Sequence, residues 1–196
     1  MAASTFGRGD VIICPIGPLR APSTADHSLS VFRIRISLTS LIARGGPLCR
    51  ASQLAVKLSG YPRPAIIPAV EFVPQEFFDT HACGGKRCHV WGWYPNTSKG
   101  VVYVHEAARE LIGDGSDPRS TLAASIIVHE FTHYLQAANR GFARYTCEKS
   151  LELEREAYYV QNAYIVAYGR YMQVGVSMHS AGCGGNASVR SVLSAH

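Results

Sequence analysis

The spacing of apolar residues predicts regular structure from about residue 51 onward. Leu54 and Leu58 are four residues apart, which is typical of a short helix over 51–59, and Gly60 would end that helix. Three further segments are rich in β-branched or aromatic residues and are predicted to be strands. They are 69–73 (AVEFV), 90–94 (VWGWY) and 101–105 (VVYVH).

Two long helices are predicted in the second half of the chain. The first starts near an Asp-Pro pair at 117–118, which suits a helix N-terminus, and ends around 139–141, where Asn and Gly are typical C-terminal residues. The second helix covers about 146–169. A polar segment over 95–100 fits a hairpin loop between the last two strands. A few strands followed by two long helices indicate an α+β fold.

Composition and charge narrow the class of protein. The chain has 196 residues, of which 47% are hydrophobic and 17% are charged, so it is long and apolar enough to bury a core. The net charge of +5 arises in the N-terminal third, since residues 1–70 contain eight Lys and Arg but only Asp10 and Asp26. A nucleic-acid-binding protein would place this charge on the folded part that carries its motif, so no nucleic acid is expected as a partner. No apolar run is long enough to predict a transmembrane segment.

The chain divides into three parts. Residues 1–50 are expected to be a poorly structured basic extension, 51–175 a folded domain and 176–196 a C-terminal tail. The Ser- and Arg-rich start is also typical of an organelle transit peptide, and 36–43 resembles a short signal-peptide core. A start site placed too far upstream is a further explanation, and no destination follows from this segment.

The segment 120–139 carries the residues with the clearest chemistry. Glu130 is its only residue with a formal charge, so a helix over STLAASIIVHEFTHYLQAAN is expected to be buried. His129 and His133 are four residues apart and project from consecutive turns of one face. This is the HExxH arrangement, in which two imidazoles bind Zn²⁺ and the carboxylate takes a proton from the activated water. The alternative, hydrogen-bonded histidines and an ion-paired Glu130, needs a separate partner for each buried polar group.

A catalytic zinc site needs a third protein ligand and an open position for water. Metzincins extend the motif to a glycine and a third histidine, but Gln136 and Asn139 occupy those positions here. The second long helix contains three glutamates that compete for the role, namely Glu152, Glu154 and Glu156. The apolar stripe of that helix places Glu154 on its inward flank, so Glu154 is the predicted ligand and Glu156 the runner-up.

The motifs HEFTHYLQ (129–136) and EREAYYVQ (154–161), with a cysteine between them, resemble a group of uncharacterised small bacterial HExxH proteins of the zincin superfamily, of gluzincin type. The resemblance covers roughly 54–172. It implies a minimal zincin fold, in which a small sheet packs on the HExxH helix and the next helix supplies a glutamate ligand. Related zincins take that ligand from the first residue of an E-x-x-A-D/N pattern, which falls on Glu154. The last position holds Tyr158, so the usual partner of a metal-bound histidine is missing or replaced.

These features predict a zinc-dependent metallohydrolase, in particular a metallopeptidase that acts on a peptide or protein substrate. Glu130 would be the general base toward a zinc-activated water. The developing oxyanion needs a further donor, and four side chains are candidates for it: Tyr158, Tyr159, His105 and His179. Zincin sheets usually bind an extended peptide at an edge strand, for which 101–105 is the candidate, with an ordinary core strand as the alternative.

Six cysteines lead to a second set of expectations. Cys83 and Cys88 bracket the residues GGKR, a spacing that suits a disulfide across a tight loop, with free thiols or a small metal knuckle as alternatives. Cys147 and Cys183 form a second pair that could bridge. Disulfides favour a secreted or periplasmic protein over a cytoplasmic one.

Two other functions stay open at this point. A non-catalytic protein with a structural zinc site would need a fourth protein ligand, such as Cys147 or His179, and would leave Glu130 without a role. A non-peptidase amide hydrolase of the deformylase kind also uses HExxH. Its third ligand is an upstream cysteine, which would be Cys83 or Cys88 here.

Overall fold

The structure is a computed structural model that describes residues 47–95, 100–113, 119–141, 146–169 and 172–183. Over these residues the chain forms helices and one three-stranded sheet, so the predicted α+β class is confirmed. The helices are α1 (Pro47–Ser59), α2 (Gln75–His81), α3 (Ala107–Gly113), α4 (Ser120–Arg140), α5 (Cys147–Tyr168) and α6 (Ser177–Ser180), and the strands are β1 (Ala69–Val73), β2 (Gly92–Trp93) and β3 (Val101–His105). None of the helices in the described part of the chain is long and apolar enough to cross a membrane.

The sheet has the strand order β1-β3-β2. β1 runs parallel to β3, with Ala69 opposite Val101, and β2 runs antiparallel to β3, with Gly92 opposite Val104. The expectation that 101–105 is an edge strand is therefore wrong, and the alternative of a core strand is the one observed. The chain passes through α2 and β2 before it returns, and β3 inserts between the two earlier strands. The edges are β1 and β2.

The core lies between the sheet and the helices α1, α4 and α5. Helix α4 contacts α1, α3 and α5 as well as β2 and β3, because nearly every face of it is apolar. Its fully or almost fully buried side chains include Ile127, Val128, Phe131 and Leu135, and they meet Val102 and Val104 of β3. Each large apolar side chain buried in this way stabilises the fold by about 1.5–3 kcal/mol.

The two long helices end close to their predicted bounds. Gly141 follows α4 with φ of 65°, a left-handed conformation that glycine adopts without strain. Thr146 precedes α5, and its hydroxyl accepts a hydrogen bond from the main-chain N–H of Lys149, as a helix N-cap does. The predicted start of α4 at 117–118 lies outside the described residues, and so does most of the predicted extension over 1–50.

Three short helices were not predicted from the pattern, and β2 is shorter than the predicted strand over 90–94. Helix α2 illustrates why the short helices were missed. It has only seven residues, so tertiary contacts stabilise it and its apolar spacing gives no clear helical pattern. Phe78 is fully buried, and the Phe77 ring packs 4.6 Å from the ring of Tyr103. The predicted hairpin between 90–94 and 101–105 is present as the antiparallel β2–β3 pair.

Residues 172–183, called the C-terminal strap here, fold back along α5. Arg155 donates hydrogen bonds to the main-chain oxygens of Met178 and Ala181, at 2.9 and 2.7 Å. Asn162 exchanges two hydrogen bonds with the main chain of Val174, at 3.0 and 2.9 Å. A disulfide from Cys183 to Cys147 then ties the end of the strap to the start of α5.

Both cysteine pairings considered from the sequence are present. Cys83 and Cys88 close the short loop after α2, and Cys147 and Cys183 close a much longer one. The described cysteines of these pairs are therefore oxidised, which rules out the metal knuckle and the free thiols in this structure.

The two disulfides should differ in their contribution to stability. The Cys147–Cys183 bridge closes a loop with a sequence separation of 36, and Cys83–Cys88 one with a separation of 5. Loop-closure entropy therefore predicts a loss of about 4 kcal/mol for a double Cys→Ser change at 147 and 183, against about 2 kcal/mol at 83 and 88. Urea denaturation without reductant measures both. Equal losses, or free thiols in the unreduced wild-type protein, would contradict this expectation.

Candidate metal centre

Helices α4 and α5 bring the imidazoles of His129 and His133 and the carboxylate of Glu154 to one point. The two Nε2 atoms are 3.1 Å apart, and each lies 3.3 Å from an oxygen of Glu154. All three residues are largely buried. They form a group that could hold a metal ion, which is the arrangement expected from the HExxH motif and the inward flank of α5.

The spacing of these atoms fits a small tetrahedral cation. Ligand atoms that lie about 2.0–2.1 Å from a tetrahedral zinc ion are about 3.3 Å from one another. The two Nε2 atoms are 3.1 Å apart, and Glu154 lies 3.3 Å from each of them, through Oε2 to His129 and through Oε1 to His133, all close to that edge length. Two imidazole nitrogens and a carboxylate oxygen are also a ligand set that catalytic zinc sites use.

The other two candidate glutamates, Glu152 and Glu156, point elsewhere. Glu156 accepts hydrogen bonds from the hydroxyl of Tyr61 and the amide of Gln136, and it pairs with Arg140 at 3.1 Å. Glu152 is exposed and pairs with Arg140 and Lys149. Glu156, the runner-up ligand, is therefore engaged in a separate network, and Glu154 is the carboxylate that faces the histidines.

The second nitrogen of each histidine meets a glutamine. Nδ1 of His129 lies 3.0 Å from Oε1 of Gln161, and Nδ1 of His133 lies 2.9 Å from Oε1 of Gln136. The sequence reasoning missed both residues as partners of the histidines. Gln136 lies one turn after His133 on α4, and Gln161 lies two turns after Glu154 on α5, both on faces predicted to be buried. These positions were the available signal, because a buried amide needs hydrogen-bond partners.

Tyr158, which stands where the related pattern has an acid or Asn, packs against the site. Its ring meets the ring of His129 edge to face, with 4.5 Å between centroids. The strap covers the other side of this ring at Gly175, where a Cβ would lie 2.2 Å from the tyrosine. Gly175 also has φ of 68°, so any larger residue would be both strained and in conflict with Tyr158.

Glu130 lies beside the ligand group and against the edge strand β2. The carboxylate hydrogen-bonds to the main chain at Tyr94. A Cβ on Gly92 would be 2.6 Å from Oε1 of Glu130, so only glycine at position 92 of β2 leaves room for the carboxylate. The edge strand thus fixes the position of the carboxylate that lies between the two histidines in the sequence of α4.

Burial and charge shift the titration of the site. Burial raises the pKa of Glu130, although His129 and His133 act in the opposite direction. Burial also opposes ionisation of Glu154, but the adjacent His133 and His129 hold its pKa well below the usual value. Burial lowers the pKa of His133, and the Glu154 carboxylate more than offsets this, so the pKa is raised to about 9. The metal-free site therefore pairs a carboxylate with a protonated imidazole.

The four candidate oxyanion donors have different surroundings. Tyr158 is buried next to His129, whereas the Tyr159 side chain is 72% exposed on the same helix. His105 ends β3, where its Nδ1 accepts a hydrogen bond from the main chain of Ala107. His179 lies in α6 and is exposed. Of the four, Tyr158 is the one whose ring contacts a histidine of the ligand group.

Comparison with known proteins gives no match for this chain, whether with protein-family models, curated proteins or solved structures. The site is therefore defined by the geometry and chemistry of its own residues.

Removal of a ligand should abolish metal binding, and removal of the neighbouring carboxylate should not. We expect His129→Ala, His133→Ala and Glu154→Ala to lose stoichiometric Zn²⁺. Glu152→Ala is the matched control, since it deletes an exposed carboxylate of the same helix that pairs with Arg140 and Lys149. Elemental analysis after dialysis measures the difference. Retention of zinc by Glu154→Ala together with loss by Glu156→Ala would reverse the ligand assignment.

Metal binding should be linked to pH through His133. A metal ion binds neutral imidazole, and the pKa of about 9 means that His133 is protonated at neutral pH without metal. Zinc binding should then release about one proton from it, and affinity should rise between about pH 6 and about pH 8. In the metal-free protein the same shift stabilises the fold fully below the unfolded value of 6.5, and this stability is lost as pH rises through about 9. Calorimetric titration in two buffers of different ionisation enthalpy measures the proton release; a pH-independent affinity would contradict it.

Proposed function

We propose that this chain is a zinc-dependent metallohydrolase that cleaves peptide bonds. The observation that carries the proposal is the grouping of His129, His133 and Glu154 around one point, with the buried carboxylate of Glu130 beside it. Three protein ligands leave a zinc ion with an open position, which is the feature that separates catalytic from structural zinc sites. The resemblance of 129–136 and 154–161 to gluzincin-type proteins supports the same function.

The residues of the chain divide the chemistry between them. A zinc ion at the site would supply a Lewis acid that polarises a carbonyl and lowers the pKa of water. Glu130 is the base that accepts a proton from the attacking water and returns it to the leaving amine. Burial raises its pKa, which brings this carboxyl closer to the range in which it can both take and give a proton near neutral pH.

Tyr158 is the oxyanion donor that the site favours. Burial, together with the nearby charges of Glu154 and Glu130, raises the pKa of its phenol, so the hydroxyl keeps its proton and remains a hydrogen-bond donor. Its ring is held between His129 and Gly175, which limits the positions that the hydroxyl can take. A donor that is already oriented stabilises developing negative charge without reorganisation.

The open edge of β2 is where we place an extended peptide. β2 pairs with β3 on one side, and the main-chain oxygen of Trp91 accepts from His105 on that side. Alternation along an antiparallel strand turns the main-chain groups of Gly92 and Tyr94 toward the other side, where Glu130 lies. A peptide that adds to this edge as a strand would lie next to Glu130, the general base. Its main-chain hydrogen bonds do not depend on the side chains, so peptides of many sequences would bind.

The two rival functions lose their ligands to disulfides. A structural zinc site would need a fourth ligand, but Cys147 is bonded to Cys183, and His179 is not in the three-membered group found among the described residues. A deformylase-like site would need a thiolate from Cys83 or Cys88, and these two cysteines are bonded to each other. The disulfides also support the proposal that the protein works in an oxidising compartment, secreted or periplasmic.

Replacement of the general base separates catalysis from metal binding. We expect Glu130→Gln to keep one Zn²⁺ per chain and to lose about 10²–10⁴-fold in turnover, because the amide cannot accept the proton. The substrate is a mixed peptide library, with cleavage followed by mass spectrometry. Removal of zinc with 1,10-phenanthroline should stop cleavage by the wild-type protein, and added zinc should restore it.

Glu152→Gln is the control for this experiment, because its exposed carboxylate pairs with Arg140 and Lys149 and takes no part in the site. It should leave cleavage near the wild-type rate. Zinc-loaded wild-type protein that cleaves no bond in the library would overturn the peptidase function, and full activity of Glu130→Gln would overturn the role of Glu130.

A further inference from the structure

Two buried glutamines, Gln136 and Gln161, lie behind the metal-binding histidines. Gln136 has no exposed surface and Gln161 is 5% exposed, yet both are polar side chains in the interface between α4 and α5. A buried amide costs about 1–3 kcal/mol when it lacks hydrogen bonds, so each must satisfy its oxygen and its two N–H groups locally. These partners determine which atom donates and which accepts in two series of hydrogen bonds, one through each glutamine.

The hydrogen-bond series through Gln161 ends at the main-chain oxygen of Leu122. The hydroxyl of Ser125 donates its single proton to the oxygen of Leu122, at 2.7 Å. Ser125 must then accept from Nε2 of Gln161, which lies 3.0 Å away. This leaves Oε1 of Gln161 toward Nδ1 of His129, at 3.0 Å, and an amide oxygen requires a proton on that nitrogen.

The hydrogen-bond series through Gln136 has different partners, but it also requires a proton on Nδ1 of its histidine. Its Nε2 donates to the main-chain oxygen of Leu153 at 2.9 Å and to the carboxylate of Glu156 at 3.1 Å. Both partners can only accept, so both N–H groups of the amide are used. Oε1 of Gln136 therefore faces Nδ1 of His133, at 2.9 Å, and again demands a proton there.

We propose that Gln136 and Gln161 are positioning residues that hold both histidines with the proton on Nδ1, so that both Nε2 lone pairs face the zinc position. The inference deepens the proposed function and rests on it, because it concerns the same metal. The geometry agrees, since the two Nε2 atoms are the ones that converge, 3.1 Å apart and beside Glu154.

The choice of an amide has a chemical consequence. Histidine ligands often donate to a carboxylate, which raises the basicity of the ligand and tightens metal binding. An amide orients the ring without adding charge. Glu130 and Glu154 already place two carboxylates at the site, which balance a divalent ion. Neutral partners behind the histidines leave the ion more electrophilic than two further carboxylates would.

The experiment measures zinc affinity rather than turnover. We expect Gln161→Met and Gln136→Met, which keep the side-chain length and remove the acceptor, to raise the zinc dissociation constant by about 10–100-fold. Competition with a fluorescent chelator measures the constant, and the absorption spectrum of the Co²⁺-substituted protein reports the ligand geometry. Gln161→Glu is nearly isosteric, and its carboxylate should instead lower the dissociation constant below that of the wild type.

Asn162→Ala is the matched control. Asn162 is the next residue on α5, and its amide bonds to the main chain of Val174 rather than to a histidine. It should lower the free energy of unfolding but leave the zinc constant and the Co²⁺ spectrum as in the wild type. A purely structural role of the glutamines would make their variants behave like this control.

The outcomes separate the inference from the proposed function. Unchanged zinc affinity in both folded Met variants overturns the role of the glutamines and leaves the zinc hydrolase intact. Should the Met variants fail to fold, an affinity of Gln161→Glu equal to or weaker than the wild type overturns it in the same way. A wild-type protein that binds no Zn²⁺ at all overturns the proposed function and this inference together.

Discussion

The contact between α4 and α5 is the interaction on which this molecule depends. Helix α4 carries two imidazoles and a carboxylate in an otherwise apolar surface, and each of these groups would be costly to bury alone. Helix α5 supplies what they lack, since Glu154 faces both imidazoles and Gln161 meets the far nitrogen of His129. The same packing that completes the core therefore completes the site, and loss of one would disturb the other.

The candidate metal centre was predictable from the sequence because its chemistry is local. The spacing of His129 and His133 places both on one face of any helix, and the buried character of 120–139 follows from composition. The choice of Glu154 needed only the orientation of one more helix. A ligand set that depends on two helices and their apolar stripes can be found without knowledge of the rest of the fold.

The position of β3 and the roles of the glutamines were not predictable in this way. A stretch such as 101–105 has the same residue pattern at the centre or the edge of a sheet, and the order of strands is decided by the crossover through α2 and β2. Gln136 and Gln161 lie on helix faces predicted to be buried, but their role depends on Ser125 and on carbonyls that only the folded packing brings near.

Gly175 is the residue through which the disulfide-bonded C-terminal strap contacts the side of the candidate metal centre. The strap that carries this glycine is bonded to α5 through Cys183, and its backbone rests on the ring of Tyr158, which in turn rests on His129. One added methyl group on this glycine would collide with the tyrosine and would thus move a ring that contacts His129.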